Sequence, residues 1–243
     1  YTGPTASVDS FETYKLTHLI FCFGHLKGNR LSIGSTEDSA TIRSMVLKKR
    51  LNPELKVMLS LGGWGGCATC SDVFSTSTGR QEFAQSVKEV TTSFGTDGID
   101  MDWEYPSIAG FPGHTFRPED KENFTALLKE IRAVNGEDFE ISFAAGGFTE
   151  YIQSAVDWTE VVKYTDFINI MTYDLVHGFS TVSGHHTPLY STPQQVESTD
   201  HAVQMLLAAG VPANQLVIGA AFYGRFFKIN EGSPVDLYMP GTF

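Results

Sequence analysis

Short apolar segments alternate with longer amphipathic segments along most of this chain. The apolar segments predict strands at residues 17–23, 55–61, 98–104, 139–145, 166–173 and 216–222. The segments between them repeat apolar side chains with helical periodicity and predict helices at residues 39–50, 79–94, 119–134, 157–164 and 194–209. Strands that alternate with helices form a parallel sheet covered by helices, and these strands are apolar enough to be buried on both faces.

Composition excludes several classes of protein. Apolar residues make up 42% of the chain and charged residues 19%, which is a globular balance. The net charge is -11 and no basic run is longer than residues 48–50, so we expect no nucleic-acid partner, because such partners require basic patches. The longest apolar run, residues 205–211, is far shorter than the roughly 20 residues of a membrane-spanning helix, so we expect no membrane partner.

Polar and aromatic residues collect where the predicted strands end, at residues 60–64, 100–105, 171–174 and 223–225. In a (β/α)8 barrel the C-terminal ends of the strands form the active-site face. No glycine-rich nucleotide-binding motif follows the first strand, so a doubly wound nucleotide-binding sheet has no support. The distribution therefore predicts an α/β fold of the (β/α)8 TIM-barrel type.

The strand at residues 98–104 carries an alternating row of acids, Asp100, Asp102 and Glu104. Alternate strand residues share a face, so the acids point into the barrel while Trp103 and the other apolar residues point towards helices. Acids on one face lie about 6.6 Å apart along the strand, and such like charges raise at least one pKa. Catalysis is the favoured interpretation, and a divalent-metal site or a strand without function are the alternatives.

Two carboxyl groups with different pKa values suit the hydrolysis of glycosidic bonds, which needs an acid and a charged stabiliser. Glu104 is the outermost of the three acids and is the predicted proton donor to the leaving oxygen. Asp100 and Asp102 lie deeper and are the predicted stabilising pair.

Two smaller groups of residues leave alternatives open. His177, His185 and His186 lie in a loop rich in Gly, Ser and Thr, where they are either surface residues or weak candidates for metal binding. Cys67 and Cys70 form either a small loop clip or a pair of idle thiols. A zinc site needs two further ligands that are not nearby, and a redox motif is a third alternative that lacks its usual fold context.

The segment DGIDMDWEYP at 97–106 resembles the DxxDxDxE signature of family 18 glycoside hydrolases, the chitinases. SLGGW at 60–64, MTYD at 171–174 and GAAFYGR at 219–225 resemble the third-, sixth- and seventh-strand motifs of that family. The resemblance implies a TIM barrel that cleaves β-1,4 bonds between N-acetylglucosamine units. It implies no cofactor and no metal.

The resemblance also implies a mechanism in which the substrate supplies the nucleophile. Glu104 protonates the glycosidic oxygen, and the 2-acetamido oxygen of the sugar attacks the anomeric carbon to give an oxazolinium ion. Asp102 accepts a hydrogen bond from the acetamido N–H and shares a proton with Asp100. Tyr173 donates its phenol hydrogen to the acetamido oxygen.

Further residues are expected beside the carboxylates or in contact with sugar. Ser60, on the neighbouring strand, is expected to donate a hydrogen bond to Asp100, and two glycines allow close backbone approach. Each aromatic residue, taken alone, is better explained as core. The full set is Ser60, Gly62, Gly63, Trp64, Tyr105, Phe148, Met171, Asp174, Tyr223 and Arg225. By resemblance we also expect cis peptide bonds at Cys22–Phe23 and Glu104–Tyr105, which are rare outside proline.

The chain departs from the family pattern at both ends. Residues 1–3 resemble the tail of the family's first strand, and the eighth strand is missing. We therefore expect an incomplete barrel with strands two to seven, formed by residues 1–225, and the beginning of an α+β insertion at residues 226–243. As a whole molecule such a chain is expected to have reduced stability and weak or no turnover.

Three functions remain open from the sequence. The leading one is a chitinase, and the second is an endo-β-N-acetylglucosaminidase that acts on N-glycans. The third is a chitinase-like lectin without activity, although the presence of Glu104 counts against it. For the leading function we expect an extracellular monomer that binds chitin or N-acetylglucosamine oligosaccharides.

Overall fold

Strands occur at every predicted position in the computed structural model, which describes residues 1–243. The nine strands, in chain order, are β1 (His18–Lys27), β2 (Arg30–Ser32), β3 (Lys56–Gly62), β4 (Gly98–Asp102), β5 (Glu140–Gly146), β6 (Phe167–Met171), β7 (Leu216–Ile218), β8 (Lys228–Ile229) and β9 (Gly241–Thr242).

Helices follow the strands as the periodicity predicts. They are α1 (Thr36–Leu47), α2 (Cys70–Phe74), α3 (Ser77–Phe94), α4 (Asp120–Asn135), α5 (Thr149–Ser154), α6 (Trp158–Val161) and α7 (Thr199–Ala208). Short 3-10 helices occur at Thr5–Ser10, Thr13–Lys15, Lys48–Arg50 and Ala213–Gln215. No helix is both long enough and apolar enough to cross a membrane.

The chain forms two compact units. The first comprises Tyr1–Phe143 and Ala155–Asp166, and the second comprises Ala144–Ser154 and Phe167–Phe243. In the first unit β3 pairs in parallel with β1 and with β4, and β4 pairs in parallel with β5. The backbone of Tyr1 bonds to β1 at Ile20 and Cys22, at the place predicted for the tail of a preceding strand.

An aromatic core lies between the first unit's strands and helices. Trp103, which follows β4, packs against Phe74 of α2 at a ring-centroid distance of 5.6 Å and against Phe124 of α4 at 6.0 Å. Phe124 in turn contacts Phe143 of β5 at 5.3 Å. The apolar face of β4 therefore packs against the helices, as the alternation of side chains predicts.

The second unit contains the parallel pair β6–β7 and the short antiparallel pair β8–β9. Its main helix, α7, begins at Thr199 rather than at the predicted residue 194, because the Ser198 side chain accepts the N–H of His201 and caps the helix there. The last predicted strand also ends early, at Ile218, and Phe222 is fully exposed beyond it.

The remaining differences concern short elements. Strand β2 forms an antiparallel hairpin with β1 through Gly28 and Asn29, and Gly28 has a positive φ of 60° that suits a tight turn. Helices α2 and α5 span five and six residues. Elements of that length are too short for an apolar period to be recognised in the sequence.

Arg132 joins the end of α4 to the segments that flank β5 and β6. Its buried guanidinium donates hydrogen bonds to four backbone carbonyls and to one carboxylate: Gly136, Glu137, Phe139, Tyr164 and Asp166. Carbonyl groups that lose a hydrogen-bond donor without replacement by water cost free energy of folding. The Arg132 side chain therefore stabilises the first unit.

We predict that Arg132→Met lowers the free energy of unfolding by about 3 kcal/mol, because it removes a buried guanidinium that donates to five partly buried acceptors. The measurement is urea denaturation followed by far-UV circular dichroism. Arg30→Met is the matched control, since Arg30 pairs with Glu89 at the surface and such pairs contribute about 1 kcal/mol or less. Equal losses in the two variants would contradict the assigned role.

Candidate active site

Asp100 is the innermost acid of the row and is only 5% exposed. In the sheet register it lies between Ser60 on β3 and Ser142 on β5. The Ser60 hydroxyl donates to Asp100 Oδ2 at 2.8 Å, as predicted, and the Ser142 hydroxyl donates to Oδ1 at 2.6 Å. The carboxylate is thus held in one orientation by donors on both neighbouring strands.

Asp102 ends strand β4 and has a different environment. Its Oδ1 atom is buried without a hydrogen-bond partner. Burial raises the pKa of the Asp102 carboxyl well above its usual range, and the neighbouring charges of Glu104 and Asp100 raise it further. The expected like-charge effect in the acidic row therefore falls on Asp102, where burial is the larger cause.

Glu104 lies just beyond the end of β4 and is partly exposed. The Glu104–Tyr105 peptide bond is cis, and so is the Cys22–Phe23 bond in β1, and these two bonds confirm the expected positions. Because Glu104 lies beyond Asp102, the last residue of β4, it is the outermost acid of the row.

Two glycines at the end of β3, Gly62 and Gly63, make room for the acidic strand. Gly62 has a φ of 112°, and a Cβ atom there would lie 2.2 Å from the backbone oxygen of Asp102. Gly63 donates its N–H to that same oxygen at 2.9 Å, and a Cβ at Gly63 would lie 2.6 Å from the Phe23 ring. Close backbone approach, as predicted, requires glycine at both positions.

An aromatic cluster follows these glycines. Trp64 is 49% exposed, and its ring lies 6.4 Å from that of Tyr105 and 5.5 Å from that of Phe111. For Trp64 the core interpretation is wrong, because half of the side chain is open to solvent. The same loop carries a Cys67–Cys70 disulfide, so these residues form the small clip rather than idle thiols.

The second unit contains a separate polar network around Asp174. Tyr223 donates its hydroxyl to Asp174 Oδ2 at 2.8 Å, and Arg225 donates Nε–H to Oδ1 at 2.7 Å. Burial raises the pKa of the Tyr223 phenol, and its hydrogen bond to Asp174 raises it further. The Tyr173 ring lies 6.1 Å from that of Tyr223, and Met171 is the last residue of β6.

The other sequence candidates in the second unit have varied environments. Phe148 is partly buried and packs against Tyr151 at 6.1 Å. His177 and His185 are exposed, whereas His186 is largely buried, so the surface interpretation is wrong for His186. No group of three or more His, Cys, Asp or Glu side chains in the chain is arranged to hold a metal ion.

The structure thus groups the predicted residues into two sets. In the first unit Ser60, Gly62 and Gly63 contact the acidic strand, and Trp64 lies beside Tyr105. In the second unit Tyr223 and Arg225 bind Asp174, with Tyr173 beside Tyr223. Sequence reasoning missed three members of these sets: Ser142, Phe111 and His186. Only His186 had a sequence signal, as one of the loop histidines.

A family match now gives these sets a context. The sequence model described as Glycosyl hydrolases family 18 matches residues 1–238. Because the match covers nearly the entire chain, the chain belongs to glycosyl hydrolase family 18. The resemblance carried by the four motifs is confirmed.

Curated relatives agree with this assignment. Chitinase A1 of Niallia circulans is 37% identical in an alignment of 223 residues, which covers 80% of this chain and 32% of that protein. Chitotriosidase-1 of Mus musculus is 30% identical in an alignment of 240 residues, which covers 93% of this chain and 51% of that protein. The chain therefore spans between about a third and a half of the length of these relatives.

Solved structures confirm the fold class. A family 18 N-acetylglucosaminidase of Paenibacillus barengoltzii matches with a TM-score of 0.87 at 36% identity, over 98% of this chain and 73% of that one. The Group IV chitinase of Ostrinia furnacalis, in complex with allosamidin, matches with a TM-score of 0.90 at 28% identity, over 99% and 70%. The fold class is that of a (β/α)8 barrel. To it the first unit contributes parallel pairing among β1, β3, β4 and β5, and the second unit contributes the parallel pair β6–β7.

We predict that Asp102→Asn stabilises the chain more at pH 8 than at pH 4. The native Asp102 carboxyl keeps a proton that the unfolded chain releases above about pH 3.9. The native state therefore binds more protons, and the parent loses stability as pH rises from that value to the raised native pKa. Asparagine does not titrate and removes this loss.

The measurement is the urea midpoint of parent and variant at both pH values. Asp138→Asn serves as the control, because Asp138 is exposed, and its effect should be similar at pH 4 and pH 8. An Asp102→Asn effect that is no larger at pH 8 than at pH 4 would contradict the assigned proton.

Proposed function

We propose that this family 18 chain hydrolyses β-1,4 bonds between N-acetylglucosamine units, with retention of configuration at the anomeric carbon. The observation that carries the proposal is the buried Oδ1 atom of Asp102, which lacks a hydrogen-bond donor. An unpaired buried carboxyl oxygen costs about 1–3 kcal/mol or more. The acetamido N–H of a bound N-acetylglucosamine unit would supply the missing donor.

The division of roles in the acidic row supports substrate assistance. Asp100 accepts two serine hydroxyls and is held still, whereas Asp102 retains a proton at a raised pKa. A proton shared by Asp100 and Asp102 leaves one Asp102 oxygen to accept the acetamido N–H. That hydrogen bond orients the acetamido oxygen towards the anomeric carbon and stabilises the positive charge that develops.

Glu104 is proposed as the general acid and base. In the first step it gives its proton to the glycosidic oxygen while the acetamido oxygen forms a bond to the anomeric carbon. The aglycone leaves as an alcohol, and an oxazolinium ion remains. In the second step ionised Glu104 takes a proton from water, whose oxygen opens the oxazolinium and restores the acetamido group.

The remaining residues are proposed to hold the sugar. Tyr173 donates its phenol hydrogen to the acetamido oxygen, a role that rests on the MTYD motif. The other sugar contacts proposed from the motifs are Met171, Asp174, Tyr223 and Arg225. The exposed ring of Trp64 supports a stacking contact with a pyranose, and Tyr105 and Phe148 are proposed for the same type of contact.

The proposal extends to the setting of the protein. Chitin and its oligosaccharides are the proposed substrates, because the relatives above are named a chitinase and a chitotriosidase and the first structural neighbour is named an N-acetylglucosaminidase. Chitin lies outside cells, so we propose an extracellular monomer. Residues 1–225 are proposed as the catalytic portion and 226–243 as the beginning of an α+β insertion, supported by the β8–β9 pair.

We predict that the parent chain releases the β-anomer first from chitotetraose, and that Glu104→Gln lowers the rate by about 100-fold to 10,000-fold, the range for a lost general acid. Anomer-resolving chromatography measures the products, and calorimetry measures the affinity of the variant, which should stay close to that of the parent.

The control substitution is Glu119→Gln, a carboxyl outside the acidic row, which should leave the rate unchanged. Initial release of the α-anomer would refute retention, and unchanged hydrolysis in Glu104→Gln would refute the assigned acid. Binding without products in the parent would instead favour a lectin, and cleavage of an N-glycan core but not of chitotetraose would favour the endo-β-N-acetylglucosaminidase.

A further inference from the structure

His186 lies against the Asp174 network although the proposed mechanism gives it no role. Its Nδ1 atom accepts a hydrogen bond from the Asp174 backbone N–H at 3.0 Å. The side chain is 14% exposed, and its ring lies 4.9 Å from the Tyr223 ring with a tilt of 53°. His186 thus contacts the backbone of the central acid and the ring of one of its donors.

The hydrogen bond determines the state of the imidazole. A nitrogen that accepts a hydrogen bond carries no proton, so the neutral ring has its proton on Nε2. Burial lowers the pKa of His186, Arg225 lowers it further, and Asp174 opposes both effects. The neutral form, with Nδ1 as acceptor, is therefore the form present at neutral pH.

Asp174 needs an external constraint of this kind. Its φ is 55°, in the left-handed region that residues other than glycine seldom occupy. That backbone conformation directs its carboxylate towards Tyr223 and Arg225. The bond to His186 holds the N–H of the same residue, and a second bond, from Leu175 N–H to the His186 carbonyl at 3.2 Å, holds the next peptide.

We propose that His186 is a positioning residue that fixes the Asp174 carboxylate towards Tyr223 and Arg225, by accepting the Asp174 N–H on Nδ1 and by packing its ring against Tyr223. That the Asp174 network binds sugar rests on the proposed function. The hydrogen bond between His186 and Asp174 is independent of that function, because it can be measured without substrate.

The proposal implies that the network depends on pH. The charged and titratable groups that face His186 are Asp174, Arg225 and the Tyr223 phenol. A protonated ring loses its acceptor and gains a hydrogen on Nδ1. The Nδ1 atom lies 3.4 Å from Asp174 Oδ1, the oxygen that already accepts from Arg225. Protonation would therefore release the Asp174 N–H and compete with Arg225 for the carboxylate.

The test uses NMR on the full chain with three variants. His186→Asn keeps a side-chain oxygen that can accept the N–H but does not titrate, and His186→Leu removes the acceptor. His185→Leu is the matched control, because the neighbouring His185 is exposed. The readouts are the protonation of the His186 nitrogens and the protection from hydrogen exchange of the Asp174 N–H and the Arg225 Nε–H.

We expect an unprotonated Nδ1 in the parent at neutral pH. Protection of both N–H groups should fall about tenfold in His186→Leu, which corresponds to the loss of one hydrogen bond, and should stay near the parent value in His186→Asn and His185→Leu. On acidification the parent should lose protection in step with the titration of His186, and His186→Asn should not. Parent-like protection in His186→Leu would overturn the proposal.

A further comparison keeps the proposal testable if His186→Leu fails to fold. Identical pH dependence of protection in the parent and in His186→Asn would then refute it. Calorimetry with chitotetraose, in the Glu104→Gln background to prevent turnover, should give about tenfold weaker binding for His186→Leu than for His186→Asn. Absence of binding in every variant would contradict the proposed function, and the protection data would then decide on His186 alone.

Discussion

The two serine hydroxyls that bind Asp100 connect three neighbouring strands through one buried carboxylate. A buried acid is tolerated only when its oxygens find donors, and β3 and β5 each supply one because Ser60 and Ser142 lie beside Asp100 in the register. A slip of one residue in either strand would replace the hydroxyl with an apolar side chain. The strand register therefore determines the orientation of the Asp100 carboxylate. Because Asp102 follows on the same strand, the register also determines the position of Asp102.

Asp100 and Asp174 illustrate two ways to hold a carboxylate. Asp100 is buried and binds neutral hydroxyls on rigid strands. Asp174 is partly exposed, lies beyond the end of β6 and binds a guanidinium and a phenol that come from a loop. Its backbone is in a strained region, so the contacts around it must maintain the conformation. Strand pairing is sufficient for Asp100, whereas Asp174 needs a side chain such as His186.

Features that depend on local period were predictable, and those that depend on register or on distant contacts were not. The alternation in residues 98–104 correctly placed Trp103 against helices and the acids on the other face. Ser142 was missed because nothing in its own strand shows which residue it faces on β4. Strand β2 was missed because it has three residues, although Gly28 and Asn29 before it are typical of a hairpin turn. The burial of His186 depends on Tyr223, which lies far along the chain.

The SLGGW motif shows how packing and chemistry share a short sequence. Gly62 and Gly63 have no side chain that could take part in chemistry. Any side chain at Gly62, however, would collide with the Asp102 carbonyl oxygen. The close approach of Gly62 to the Asp102 carbonyl lets the Gly63 N–H donate to the same oxygen. This hydrogen bond holds the end of the acidic strand. The chain then continues into Trp64, whose ring emerges beside Tyr105, the residue after Glu104. The motif therefore couples an exposed aromatic ring to the acidic row through two backbone contacts, which explains why glycine must precede the tryptophan.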